Sequence, residues 1–271
     1  MPWALQIPPR RALISLCLNT GKKVGLSKKV RACHLYSEQG TEYAAKTAID
    51  SFETLRPYLP DLTGLTGLEI GPGDNIGVAE CCLANGAAHM ICVEQFATVH
   101  DLPTMSELIA QRYGPYSSRP KHVQAVFESV DREVDFIYSV DVMEHVASVS
   151  DAIRHMAKIL KPGGVAVHSV DFAGHNTYAG TGIDFLTCPD WMWKMLHSHL
   201  QTTNRIRYGE LIDAAKCAGL ELVSAVPVIT VSDERVGYLR PKMIPRYRAL
   251  PTEDLKVLQA IVAFRKNGGH I

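Results

Sequence analysis

Hydrophobic residues recur with two different periods along the chain from residue 41 onward. Ile49, Phe52 and Leu55 follow one another at steps of three residues, which predicts an amphipathic helix over residues 41–59. Short apolar runs of four to eight residues stand between such helical segments, and their length favours buried strands. Because helix and strand patterns alternate, the sequence predicts a parallel, doubly wound sheet with helices on both faces.

The predicted elements extend to the end of the chain. Strands are predicted at residues 67–70, 89–96, 122–127, 135–140, 165–170, 220–228 and 257–266. Helices are predicted at residues 41–59, 76–83, 104–113, 148–160 and 208–218. Ser150 is the expected N-cap of the fourth helix. Residues 231–251 are polar, contain three prolines and carry no predicted element.

The fold predicted from these elements is an α/β, Rossmann-like, seven-stranded and mostly parallel sheet. We expect an N-terminal arm over residues 1–40 and one main domain over residues 41–271, with a C-terminal lid insertion. Trp191, Met192, Trp193 and Met195 are expected on a helix of that lid, where this spacing favours core packing over a binding cage.

Composition excludes several classes of protein. Apolar residues make up 46% and charged residues 21% of the 271 residues, which is ordinary for a globular chain. Lys+Arg and Asp+Glu both number 28, so no overall positive field favours nucleic acid. No apolar run reaches the roughly 18 residues of a membrane span. Seven scattered cysteines without a CxxC pair favour reduced thiols in a cytoplasmic protein, not a zinc or disulfide framework.

The first 37 residues are an exception to the balanced charge. They contain seven Lys and Arg residues and no acid. A solvated basic arm that packs partly on the domain is the simplest interpretation. Two others stay open: a peripheral membrane contact through Trp3 and the apolar run at 12–18, or an organelle transit peptide.

A glycine-rich turn joins the first predicted strand to the second predicted helix. Gly71, Gly73 and Gly77 give the spacing GxGxxxG, and glycines allow a ligand to approach the backbone closely. The next strand ends at Glu94, 21 residues after Gly73, where a carboxylate can accept both ribose hydroxyls. The ligand should therefore contain a nucleoside. No basic residue of the turn is placed for a pyrophosphate, which disfavours NAD and nucleoside triphosphates.

Four segments resemble motifs of one enzyme family. LEIGPGDNIG, VEQF, DFIYSVDVMEHV and LKPGGVAVHS are similar, in order and spacing, to motifs of the class I S-adenosylmethionine-dependent methyltransferases, in particular the type-11 small-molecule group. NRIRYGELIDAAKCAGLELVS also resembles the tail of methyltransferases from sugar and glycan pathways. The resemblance implies that the chain uses S-adenosyl-L-methionine to methylate a small-molecule acceptor.

The resemblance also implies a set of cofactor contacts. Glu69 and the backbone of Gly71 and Gly73 should face the methionine part of the cofactor, and Glu94 should hold the ribose. The adenine should lie beside Gln95, Val126 and Phe127, with Ser139 near the sulfonium. A turn-capping role for Glu69 and plain core packing for Phe127 are the alternatives.

Candidates for the acceptor side lie at the ends of the fourth and fifth strands. A hydroxyl acceptor needs a base, and Asp171, His175 and His145 are the candidates. His145 also fits a bracing role at a helix start. Asp141, Glu144 and His145 resemble the Mg²⁺-binding set of some quinone-pathway O-methyltransferases, but we expect no metal, because Asp replaces the longer acid there.

The remaining alternatives concern the acceptor and the class of protein. Several arginines could recognise an anionic acceptor, although a solvated edge is the simpler interpretation for most of them: Arg205, Arg207, Arg240, Arg246 and Arg248. O-methylation is the expected reaction. N- or C-methylation, a non-catalytic cofactor-binding scaffold and an NAD-dependent dehydrogenase are the other hypotheses.

Overall fold

The structure is a computed structural model, and it describes residues 39–96, 103–174, 182–196 and 203–268. The described strands are β1 (Thr66–Ile70), β2 (His89–Glu94), β3 (Lys121–Gln124), β4 (Val134–Val140), β5 (Leu160–Asp171), β6 (Leu220–Thr230) and β7 (Val257–Lys266). The described helices are α1 (Thr41–Leu55), α2 (Gly77–Ala84), α3 (Pro103–Tyr113), α4 (Val149–Ile159), α5 (Asp190–Leu196), α6 (Tyr208–Cys217), α7 (Asp233–Leu239), α8 (Pro245–Arg248) and α9 (Thr252–Leu255).

The described strands form one mixed sheet of seven strands in the order β3-β2-β1-β4-β5-β7-β6. Strands β1 to β5 pair in parallel, whereas β7 runs antiparallel to both β5 and β6. The predicted α/β, mostly parallel, doubly wound fold is thus confirmed. The strand order changes direction between β1 and β4, and a crevice at the carboxyl ends of these strands is the usual ligand site of such sheets.

Two apolar layers cover the faces of the sheet. Helices α1, α2 and α3 bury one face through residues such as Phe52, Leu83 and Ile109. Helices α4 and α6 bury the other face through residues such as Ile153 and Leu211. Because both faces are covered, the parallel strands carry near-continuous apolar side chains, which made their pattern easy to predict.

A third, smaller apolar cluster lies outside the sheet. It joins the connection between β5 and α6 to the connection between β6 and β7, through residues that include Phe185, Trp193, Leu239 and Tyr247. Trp193 is buried in this cluster, whereas Trp191 is 64% exposed. The predicted insertion therefore has a core of its own, and both connections build it.

Several predicted boundaries were wrong. The N-cap of α4 is Ser148, whose side chain accepts a hydrogen bond from the Asp151 amide, and not Ser150. Strand β3 ends at Gln124, so Val126 and Phe127 follow it and lie at a short 3-10 turn. Residues 231–251, predicted without elements, contain α7 and α8; these helices are short, and tertiary packing decides them more than their own periodicity.

The predicted arm at residues 1–40 lies almost wholly outside the described residues, so its boundary and its three interpretations stay predictions. Within the described ranges, no helix combines the length and the apolar character that crossing a membrane requires.

Candidate active site

The turn after β1 has a conformation that favours glycine. Gly71 and Gly73 have φ angles of 65° and 62°, in the left-handed region. A Cβ at Gly71 would come within 2.9 Å of the Val142 side chain, whereas a Cβ at Gly73 would have no heavy atom within 4 Å. Gly71 therefore lets the turn pack against the segment after β4, and Gly73 faces open space that a ligand can occupy.

Glu94 connects the end of β2 to this turn. Its Oε2 accepts a hydrogen bond of 3.1 Å from the Gly73 amide, and its Oε1 accepts one of 2.9 Å from the Phe96 amide. The side chain is buried, at 8% exposure. Because each carboxylate oxygen can accept two hydrogen bonds, both oxygens retain capacity for a diol. The predicted pairing of the glycine turn with this acid is present in the structure.

Glu69 lies inside the sheet layer, one residue before the end of β1. It is 3% exposed, and the Cys92 thiol donates to its Oε2 at 3.5 Å. Burial raises the pKa of Glu69 to about 8, against weaker opposing effects of Tyr138 and Cys92. At neutral pH Glu69 is therefore mostly protonated while no cation lies beside it.

Asn75 anchors the turn, which sequence reasoning missed. Its side-chain amide donates to the Ala44 carbonyl at 3.0 Å, and its Oδ1 accepts a hydrogen bond of 3.0 Å from the Gly77 amide. One side chain thus starts α2 and holds it to α1. An Asn side chain commonly accepts a hydrogen bond from the amide two residues later, and Asn75 before the helix start at Gly77 could have indicated this role.

The structure separates the other predicted cofactor residues by exposure. Gln95 is exposed at the end of β2, and Val126 is 51% exposed after β3. Phe127 is buried and meets His155 edge-on at 4.9 Å between ring centroids, so its ring belongs to the core. Ser139 is fully buried, and its hydroxyl is hydrogen-bonded to His168 Nδ1 at 2.8 Å.

The carboxyl ends of β4 and β5 are tied together at Asp141. This residue has a φ of 53°, which is unusual for a residue with a side chain. Its amide donates to the Ser169 carbonyl at 2.9 Å, and the Ser169 hydroxyl donates to its Oδ1 at 3.1 Å. The next residue, Val142, is the one that packs on Gly71. The bend at Asp141 therefore links the glycine turn after β1 to the carboxyl ends of β4 and β5.

Glu144 is fully buried at the same edge. Neither of its carboxylate oxygens has a hydrogen-bond partner among the described residues. Burial, and then the Asp141 and Asp171 carboxylates, raise the pKa of Glu144 well above its ordinary value. His145 Nε2 lies 3.9 Å from Glu144 Oε1. Glu144 is thus the most deeply buried of the three acids at this edge.

Asp171 ends β5 and is only partly buried. Its Oδ1 accepts a hydrogen bond of 2.7 Å from the Ala173 amide, and the Phe172 amide donates to the Leu258 carbonyl at 2.7 Å. His175, the second candidate base, lies outside the described residues. In the part of the chain that is described, no three His, Cys, Asp or Glu side chains form a group able to hold a metal ion.

A methyltransferase domain family model matches residues 41–225, more than half of the chain. The chain belongs to the class I S-adenosylmethionine-dependent methyltransferases. The motif resemblance is therefore confirmed, together with the enzyme class and the cofactor that this family uses. A search of curated proteins finds no sequence match.

Solved structures of methyltransferases share the fold. An S-adenosylmethionine-dependent methyltransferase from Mesorhizobium loti matches with a TM-score of 0.51 at 17% identity, over 84% of this chain and 100% of that chain. Phosphoethanolamine N-methyltransferase 2 of Haemonchus contortus, solved with S-adenosyl-L-methionine, matches at 0.53 and 14% identity, over 84% of this chain and 57% of that chain. At such identities the likeness shows the fold alone.

Two arginines of the methyltransferase were predicted wrongly as a solvated or ligand-facing edge. Arg205 is 2% exposed, donates to the Cys188 carbonyl at 2.7 Å and pairs with Asp190. Arg207 is fully buried and donates to the Phe172 carbonyl at 2.6 Å. The sequence carries no signal for this, because RIR before a helix is typical of a solvated surface.

Proposed function

We propose that this methyltransferase methylates a hydroxyl group of a small-molecule acceptor, with Glu94 holding the ribose of the cofactor and Asp171 accepting the proton of the acceptor. The observation that carries the cofactor assignment is the bond between the Gly73 amide and Glu94 beside open space. That arrangement offers a bulk-free turn for the adenosyl group and a carboxylate for its two hydroxyls.

The residues of the turn fit the parts of S-adenosylmethionine. The cofactor supplies a methyl group that its positive sulfur already activates. Glu69, buried one residue before the turn and neutral without a cation, would ionise when the cationic methionine part lies near it. Gln95 and Val126 are the predicted adenine neighbours that stay exposed. Phe127 and Ser139 support the site from the core.

Asp171 is the best-placed base of the described candidates. It lies at the carboxyl end of β5, next to the end of β4, and its side chain is only partly buried. Glu144 is fully buried, so an acceptor cannot reach its carboxylate, and burial raises its pKa above the ordinary value. His145 follows Glu144 in a short 3-10 turn that Asn204 braces through the Met143 and Val146 carbonyls, which favours the bracing role for His145.

Calorimetric titration with S-adenosylhomocysteine tests the cofactor assignment. Glu94→Ala should weaken binding about ten- to hundredfold, because charge-assisted hydrogen bonds contribute roughly 1.5–3 kcal/mol. Glu221→Ala removes an exposed carboxylate on β6, several strands away from β2 in the sheet, and is the matched control. Equal affinity of the Glu94 and Glu221 variants would reject the ribose role.

Mass analysis of products from a metabolite panel tests the acceptor assignment. A gain of one methyl group on a hydroxyl-bearing compound is the expected result, and Asp171→Asn should lower kcat about a hundredfold or more. If only amines are methylated, the acceptor atom is nitrogen and the proposal of a hydroxyl acceptor is wrong. Tight binding of S-adenosylhomocysteine with no product from any compound would favour a non-catalytic scaffold.

A further inference from the structure

Arg207 is a fully buried cation in the loop that precedes α6. Its Nη1 donates to the Phe172 carbonyl at 2.6 Å, while its Nη2 donates to the Val257 carbonyl at 2.6 Å and the Leu255 carbonyl at 3.0 Å. The acceptors are all backbone oxygens. The guanidinium therefore joins two segments that are distant in sequence: the end of β5, and the short link between α9 and β7.

The position of the first acceptor matters for the site. Phe172 directly follows Asp171, and the Phe172 ring lies 5.7 Å from the guanidinium carbon of Arg207. The Phe172 amide donates to the Leu258 carbonyl of β7, and the Phe172 carbonyl accepts from Arg207. Both polar groups of the Phe172 backbone are therefore hydrogen-bonded. The carboxylate of Asp171 is in turn held by the Ala173 amide. The backbone on which Asp171 sits thus depends on Arg207.

Asp171 is one of three carboxylates that interact electrostatically with the Arg207 guanidinium. Burial lowers the pKa of the guanidinium to about 10, while the carboxylates of Asp254, Glu210 and Asp171 oppose that fall. Arg207 stays positively charged at neutral pH. Because the attraction is mutual, the cation also favours the ionised form of Asp171. The Asp141 and Asp171 carboxylates both act on the buried Glu144, so Arg207 supplies a positive charge to a group of acids.

We propose that Arg207 is a positioning residue of the reaction: it fixes the backbone beside Asp171 and keeps the Asp171 carboxylate ionised for proton removal from the acceptor. The inference rests on the proposed role of Asp171 as the base. A buried cation can also have a purely structural role, when its charge interacts with groups away from Asp171, and Arg205 is an example. That side chain is equally buried but pairs with Asp190 and packs on the rings of Trp193 and Tyr247.

Carbon-13 NMR of the protein labelled at its aspartate carboxyls tests the electrostatic part without an acceptor. The Asp171 resonance is assigned from its loss in Asp171→Asn, and it is titrated in the protein bound to S-adenosylhomocysteine. In Arg207→Met the titration midpoint of Asp171 should rise by about one pH unit or more, because an opposite charge is lost. Arg205→Met is the matched control and should leave the midpoint within about 0.2 units.

Arg207→Lys separates charge from geometry. Lysine keeps the charge but lacks the planar fork that reaches carbonyls on two sides, so the Asp171 midpoint should stay near the wild-type value. On an acceptor identified in the metabolite panel, kcat should fall about tenfold or more while the affinity for S-adenosylhomocysteine stays unchanged, because the base is misplaced. Arg207→Lys also tests the positioning role of Arg207 if Arg207→Met does not fold.

Two results would overturn the proposal in distinguishable ways. If Asp171→Asn is inactive but the Asp171 midpoint does not move in Arg207→Met, the positioning role is rejected and Asp171 remains the base. If Arg207→Met does not fold, a wild-type kcat in Arg207→Lys rejects the positioning role in the same way. A wild-type kcat in Asp171→Asn would instead reject Asp171 as the base, and the role of Arg207 with it.

Discussion

Two edges of the proposed site are built by different means: the cofactor edge, at the carboxyl ends of β1 and β2, and the acceptor edge, at the carboxyl ends of β4 and β5. On the cofactor edge, the turn at Gly71, the acid Glu94 and the start of α2 lie within about 25 residues of sequence and use backbone geometry and short hydrogen bonds. On the acceptor edge, Arg205 binds the Cys188 carbonyl and Asp190 within the connection between β5 and α6. Arg207 reaches from that connection to carbonyls at the end of β5 and the start of β7.

This difference determines what each edge tolerates. A local turn is sensitive to the addition of a single carbon atom, because its conformation and its close contacts leave no space for one. An edge held by buried cations is instead sensitive to their removal, because each cation supplies several hydrogen bonds to groups that would otherwise be buried without partners. Mutations that remove atoms and mutations that add them should therefore affect opposite sides of the site.

Arg205→Ala should cause the largest loss of stability. The change removes the bond to the Cys188 carbonyl, the pair with Asp190 and the packing on Trp193. The free energy of unfolding should fall by about 2 to 3 kcal/mol, because the Cys188 carbonyl loses its donor and the packing on Trp193 is lost, whereas Asp190 is 53% exposed and stays solvated. Denaturant unfolding measures it. Arg154→Ala, which breaks an exposed pair with Asp151, should cost under about 1 kcal/mol and is the control.

Similar losses for these two variants would contradict the view that the acceptor edge depends on its buried cations.

Glu69→Gln sharpens the comparison on the cofactor edge. The pKa of Glu69 is about 8 in the folded protein against 4.5 ordinarily, so its contribution to stability is fully present below pH 4.5 and is lost as the pH rises through 8. The variant does not titrate there. The difference in the free energy of unfolding, Glu69→Gln minus wild type, should therefore increase by about 2 kcal/mol between pH 6 and pH 8.

The measurement is urea unfolding at several pH values without cofactor. Effects of Glu144 and other buried acids are common to both proteins and cancel in the difference. Glu42→Gln, at an exposed position, should follow the wild type. Parallel curves for Glu69→Gln and the wild type would mean that Glu69 is ionised in the folded protein.

Gly71→Ala tests the claim that the cofactor edge cannot accept added atoms. Alanine there needs a left-handed backbone and also collides with Val142 at 2.9 Å. S-adenosylhomocysteine should bind at least about tenfold more weakly, because the turn must shift. Gly163→Ala has the same backbone cost, at a φ of 80°, but meets nothing within 4 Å and lies at the other end of β5. It should keep wild-type affinity, and equal losses in both would point to general destabilisation.

The sequence predicted the cofactor edge well because its signals are local. Glycines at a strand end, an acid at the next strand end and a helix start between them fall within a single βαβ unit, so the spacing predicts the contact between Gly73 and Glu94. The mostly parallel sheet followed from the continuous apolar character of its strands, whereas the order of the strands was not predicted. Phe127 shows the limit: its residue type suits an adenine and a core equally, and only packing decides.

The acceptor edge could not be predicted, since its contacts join residues far apart in the chain. Arg207 meets Phe172 at a separation of 35 residues and Val257 at 50, and no period or motif encodes either contact. Glu144 was recognised as part of a motif, but its complete burial depends on how the insertion covers it. Residues 231–251 formed helices through the apolar cluster around Tyr247, which the polar composition concealed.

The N-cap of α4 gives the smallest and most local test. Ser148 accepts the Asp151 amide at 3.3 Å, whereas Ser150, the residue that the sequence suggested, lies inside the first turn and is exposed. Ser148→Ala should lower the free energy of unfolding by about 1 kcal/mol, since a lost cap leaves a helix amide unpaired. Ser150→Ala should leave it within about 0.5 kcal/mol. The reverse order in a thermal or urea melt would place the helix start two residues later, at the cap that the sequence suggested.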